Sequence, residues 1–109
     1  MEAPAAPAIF TYVEQQPEFP GNVNDYLNSH INYPESAREA SAEGRVGVKF
    51  VVNETGAISN VEIVRSSNNA ALDAEAKRVV SSMPKWKPGK NNGTAVKVYF
   101  TLPITFKLE

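Results

Sequence analysis

Apolar and polar residues alternate along the closing segment VKVYFTLPITFKLE, residues 96–109. Val96, Val98, Phe100, Leu102, Ile104, Phe106 and Leu108 take the even positions, and Lys97, Tyr99, Thr101, Pro103, Thr105 and Lys107 the odd ones. A period of two predicts one long, half-buried strand. The same period runs from Arg45, with Val46, Val48, Phe50 and Val52 on one face and Gly47, Lys49, Val51 and Asn53 on the other. The turn NETG (53–56) then leads into AISNVEIVR, so residues 45–65 read as a β-hairpin. Between hairpin and final strand the period changes. Leu72, Ala76, Val79, Val80 and Met83 form one helical stripe over 70–83, with Asn69 as N-cap and Pro84 as the stop. Upstream, Val23, Tyr26, Leu27 and Ile31 predict a helix capped by Asn22. It ends before Tyr33-Pro34, PESAREAS then reads as a second short helix with Pro34 at its first position, and Gly44 closes this part of the chain. PKWKPGKNNGT (84–94) reads as a turn-rich connection.

These elements predict a two-layer α+β domain. A strand–helix–strand crossover makes the final strand parallel to 57–65, so it fits beside 45–53. The result is a three-stranded, antiparallel-dominated sheet of order 2-1-3. Helices pack on one face, and Lys49, Lys97, Tyr99 and Thr101 lie on a face that can be wet. The final strand becomes an edge, and Pro103 sits inside it. Proline has no N–H for a ladder, so its backbone is expected on the side away from the neighbouring strand. Residues of the same parity (Lys97, Tyr99, Thr101) then also face outward. Two readings stand: the edge is open to an added strand, or Pro103 and the lysines keep other edges away.

Length and charge narrow the function classes. A chain of 109 residues has room for one core. Net charge −1 and pI ≈ 5.8 give no basic field for nucleic acid. With no cysteine there is neither a disulfide nor a thiolate metal site, and the redox compartment stays open. No apolar run suffices to span a bilayer. MEAPAAPAIF lacks the charge and apolar core of a signal peptide. Four of the eight prolines fall in the first twenty residues. Residues 1–16 read as the end of a Pro/Ala-rich linker or as a plain terminus, with the domain at 17–109 and folded structure from about Asn22.

Candidate chemistry is sparse. His30, the single histidine, stands in a helix without partner ligands, so no metal is expected. The carboxylates do not pair, no serine has a base beside it, and PGKNNG is not a phosphate loop. An enzyme is therefore not expected, nor a cofactor. Lys85, Trp86 and Lys87 form one basic-aromatic cluster, either Trp86 closing the core among solvated lysines or a secondary contact for a partner.

PEFPGN (17–22), YPESAREASAEGRV (33–46), FVVNETGAISNVEIVRSS (50–67), ALDAEAKRVVSSMPKWKPGK (71–90) and VKVYFTLPITFKL, in this order and spacing, resemble the C-terminal domain of the TonB family. The resemblance covers residues 14–108. It implies a periplasmic domain at the end of a Pro-rich linker, anchored in the inner membrane by a helix that this sequence does not contain and driven there by proton-powered motor proteins. It also implies that the domain binds the TonB box of outer-membrane transporters for nutrient import. In the family the box adds to the last strand, here Val96, Lys97, Val98, Tyr99, Phe100, Thr101 and Leu102. The same domain also occurs in the family as an interaction module of a membrane sensor-protease or a cell-wall-associated protein. An exposed edge can equally pair with its own copy as a homodimer.

Overall fold

The computed structural model describes residues 9–108. Both asparagines before the apolar stripes act as helix caps. Asn22 Oδ1 accepts from the N–H groups of Asn24 (2.9 Å) and Asp25 (3.1 Å) and opens helix α1, Val23–His30. Asn69 Oδ1 accepts from Ala71 and Leu72 and opens α3, Ala70–Ser81. Each cap satisfies N–H groups that the first helical turn leaves without partners. Between them lies α2, Glu35–Glu39. Pro34 is its N-cap, with ψ 135°, not its first helical residue. Gly44, expected to close the helical part, is the first residue of the following strand.

The five strands are β1 (Ile9–Phe10), β2 (Gly44–Val52), β3 (Ile58–Arg65), β4 (Gly89–Asn91) and β5 (Thr94–Phe106). They form one sheet in the order β1-β5-β2-β3, with β4 paired to β5. The predicted central arrangement holds: β2 lies between β3 and β5 and is antiparallel to both, which makes β3 and β5 parallel to each other. The strand count was too low, because two short strands flank β5. Asn92 and Gly93, both at positive φ (51° and 75°), turn β4 back onto Thr94–Val96, so the expected connection is partly a hairpin.

Val46, Val48, Phe50 and Val52 of β2, Leu72, Ala76, Val79 and Val80 of α3, and Leu102, Ile104 and Phe106 of β5 meet in one core. The opposite face is partly covered. Lys49 Nζ stands 4.2 Å from the centroid of the Tyr99 ring, a cation–π contact, and Val51, which pairs with Tyr99, is buried on that side.

Folded structure begins well before Asn22. Ile9–Phe10 joins the sheet, Val13 is buried, and Gln15 and Glu18 bridge to Lys90 and Lys87. The remainder of the expected linker, residues 1–8, lies outside the described residues. No helix among the described residues is long and apolar enough to cross a membrane.

Candidate docking edge on the last strand

The two sides of β5 are used differently. Toward β2, nine residue pairs run from Gly44–Phe106 to Val52–Val98 without a register shift. Pro103 faces Gly47 in that ladder. Without an N–H, Pro103 fits a non-hydrogen-bonded pair, which puts the backbone groups of Tyr99, Thr101 and Thr105 on the outer side with it. Even-numbered side chains enter the core and odd-numbered ones leave it: Val98 and Leu102 are buried, and Thr101, Pro103 and Thr105 are exposed.

The outer side is not wholly free. β1 pairs with it in parallel, Ile9 opposite Lys97 and Phe10 opposite Val98. An edge without a neighbour was expected over 96–102. The structure corrects this at Lys97 and Val98, where the chain's own N-terminal segment fills it. Because the backbone groups of Val98 face β2, the parallel Phe10–Val98 pair is bonded through the Lys97 carbonyl and the Tyr99 N–H. Only beyond Tyr99 does no described strand pair with the outer side.

Beside this open stretch runs a trough between α1 and β5, which the sequence pattern did not reveal. One cavity of about 320 Å³ is lined by Phe19, Val23, Trp86, Phe100 and Leu102 among others. A second, about 190 Å³, lies among Asn24, Leu27, Ile31 and Pro103–Thr105, and a third, about 240 Å³, among Ile31, Tyr33, Arg38 and Thr105–Lys107. The upper end is walled by aromatic packing. The Trp86 ring lies 5.0 Å from that of Phe100, 5.4 Å from Phe50 and 5.6 Å from Phe19.

The expected contact residues therefore separate by role. Val98, Phe100 and Leu102 give their side chains to the domain, Val96 pairs with Gly89, and Lys97 is occupied. Thr101 keeps an open outward backbone, and Tyr99 also faces outward but shares its N–H with the β1 pairing. Lys85, Trp86 and Lys87 do not form one surface: Trp86 is 4% exposed within the core, while the lysines are exposed. Lys87 exchanges backbone hydrogen bonds with Glu18 at 2.7 and 3.0 Å. His30 stacks on the Tyr26 ring at 4.0 Å, and its Nδ1 lies 2.9 Å from the Tyr26 carbonyl.

The opposite sheet edge is built differently. β3 pairs with β2 through two register shifts, and Asn60 within it has φ 51°. Bulges of this kind twist an edge away from further pairing. The sheet thus has one irregular edge and one straight edge beside a trough.

Two electrostatic clamps hold α3, one to the end of α1 and the other to the loop before α3. Glu75 accepts from Arg78 Nε (2.7 Å) and Nη2 (2.6 Å) and from the Asn32 N–H (2.7 Å), while Arg78 Nη2 also donates to the His30 carbonyl (2.9 Å). The Arg78 bonds hold the Glu75 carboxyl below its ordinary range against partial burial. Asp73 receives the Ser67 N–H (2.9 Å) and Oγ (2.8 Å) and the Ser66 hydroxyl. Burial works to raise its pKa, and these bonds outweigh that and leave it lowered. Among the described residues no group of three His, Cys, Asp or Glu side chains could hold a metal ion.

The family model described as "Gram-negative bacterial TonB protein C-terminal" matches residues 29–108. The TonB protein of Salmonella typhimurium is 35% identical over 82 residues, covering 71% of this chain and 32% of that protein. That of Pseudomonas putida is 29% identical over 111 residues, covering 98% of this chain and 44% of that protein. The chain thus spans less than half the length of these curated relatives. The solution structure of the Helicobacter pylori TonB C-terminal domain superposes with a TM-score of 0.62 at 23% identity, over 83% of this chain and 87% of that one. The Pseudomonas aeruginosa TonB C-terminal domain gives 0.59 at 27% identity, over 72% and 78%. Motif order, sheet topology and the match over most of the chain agree: this chain belongs to the TonB C-terminal domain family.

Proposed function

We propose that this domain is the periplasmic end of an energy-coupling protein, anchored in the inner membrane and worked by proton-driven motor proteins there. It captures the N-terminal TonB box of outer-membrane transporters as an extra strand on the outer side of β5. Its work is binding and force transmission rather than catalysis.

One observation carries this reading: β5 is locked to β2 over nine unshifted pairs, yet its outer side beyond Tyr99 has no partner strand among the described residues. A strand tied so firmly on one side can bear load on the other. A short guest would make ~3–5 backbone hydrogen bonds, each contributing roughly 0.5–1.5 kcal/mol net. Set against the ordering of an extended peptide, this gives modest affinity, suited to repeated capture and release. Guest side chains on the helix side would enter the trough between α1 and β5, and those on the other side would meet Tyr99, Thr101 and Lys49.

A proline contrast tests it. Thr101→Pro removes an outward N–H at an exposed position and should weaken binding of a synthetic TonB-box peptide about fivefold or more. The circular dichroism and thermal midpoint of the domain should barely change. Unchanged peptide affinity in a folded Thr101→Pro variant would contradict strand addition at this edge.

A further inference from the structure

We propose that Ile9–Phe10 is a built-in competitor for the docking edge, seated where a guest strand would begin to pair and removable without unfolding the domain. The inference rests on the strand-addition reading above and concerns the regulation of that same site.

The outer side of a strand has room for one neighbour, because adjacent strands lie about 4.8 Å apart. β1 takes that place over Lys97–Tyr99, its pairing opposite Val98 being made by the outward groups of Lys97 and Tyr99, so a guest that pairs from Tyr99 must displace it. The hold of β1 is slight. It is two residues long, both only half-buried, and it is followed by exposed Thr11 and by Tyr12, 81% exposed. A strand this short would not bind from solution, but its tether keeps its local concentration high.

Just beyond Tyr12 the segment is fixed. Val13 is 3% exposed. The Glu14 N–H donates to Asn91 Oδ1 at 3.0 Å, and the Glu14 carboxylate accepts from the Asn92 N–H. Gln15 and Lys90 exchange backbone bonds of 3.0 and 2.9 Å. The segment crosses over Gly89 so closely that a Cβ there would meet Val98 Cγ2 at 2.6 Å and the Gln15 carbonyl at 3.1 Å. Thr11 and Tyr12 are therefore the hinge. Residues 13–18 stay docked while β1 swings, and the apparent affinity for a guest is lowered by the fraction of time β1 is seated.

The chain has no cysteine, so a pair placed at the register partners, Ile9→Cys with Lys97→Cys, can lock β1 by a disulfide. The probe is a labelled synthetic TonB-box peptide, followed by fluorescence anisotropy and by amide shifts of β5. Closure of the disulfide under mild oxidation, peptide binding at least about tenfold weaker when oxidised than when reduced, and about three- to tenfold tighter binding by Phe10→Pro are expected. Failure of the disulfide to close overturns the seating of β1. Affinities equal to the unmodified chain in both variants, with β5 amides still shifting, overturn the competition and leave strand addition standing. Unshifted β5 amides in every variant overturn the strand-addition reading, and this inference with it.

Discussion

Gly56 shows how much a single position can decide. Its φ is +87°, and a Cβ there would stand 2.0 Å from the Trp86 carbonyl oxygen. Its own carbonyl accepts the Trp86 N–H at 2.9 Å. The β2–β3 turn thus holds the tryptophan against Phe50 and Phe100, and only glycine permits the approach. Gly56→Ala is expected to lower stability by about 2–3 kcal/mol in urea denaturation. The carboxylates Asp73 and Glu75 make a second residue-scale case. Both have folded pKa values below the ordinary carboxylate range, so each stabilises the fold above its unfolded pKa. That contribution is lost as pH falls through the folded pKa. Stability measured from neutral to acid pH should fall through and below the ordinary carboxylate range, and Asp73→Asn with Glu75→Gln should flatten the fall. The Asn22 and Asn69 caps were legible in the sequence because a cap is local. The apposition of Gly56 and Trp86 was not, because it joins two segments that meet only in the folded chain.

At the scale of elements, the hairpin, the α3 stripe and β5 follow from periodicity, since each buries one face and repeats that demand along the chain. What periodicity could not reach were two- and three-residue strands. β4 had one usable signal: Asn92-Gly93 is the residue pair that a tight two-residue hairpin turn prefers. β1 had none, because Ile9–Phe10 stands in a Pro/Ala-rich stretch and is placed by pairing with β5 rather than by its own pattern. Gly89 connects these pieces. Gly89→Ala should loosen the 14–18 segment, which hydrogen exchange would register as faster exchange at the Gln15 and Glu18 amides, with the α3 amides unchanged. Equal exchange in both proteins would mean that the segment does not depend on the close crossing.

The whole molecule is asymmetric in a way that no single element explains. One sheet edge is interrupted at Asn60 and carries an exposed Val64, and the other is straight for nine pairs and backed by a core that spans the sheet and α3. The family resemblance in the sequence named the last strand as the contact, and the parity of Pro103 named the outward residues. The trough beside it and the partial cover by β1 arise from tertiary placement, so the open stretch lies further along β5 than expected. An isotope-labelled chain titrated with a TonB-box peptide tests the central claim most directly. The amides of Tyr99, Thr101 and Thr105 should shift, and those of Thr101 and Thr105 should gain protection from exchange, as the peptide adds to the sheet. Shifts confined to the Lys85–Lys87 segment or to the helices, with those three amides unmoved, would contradict it.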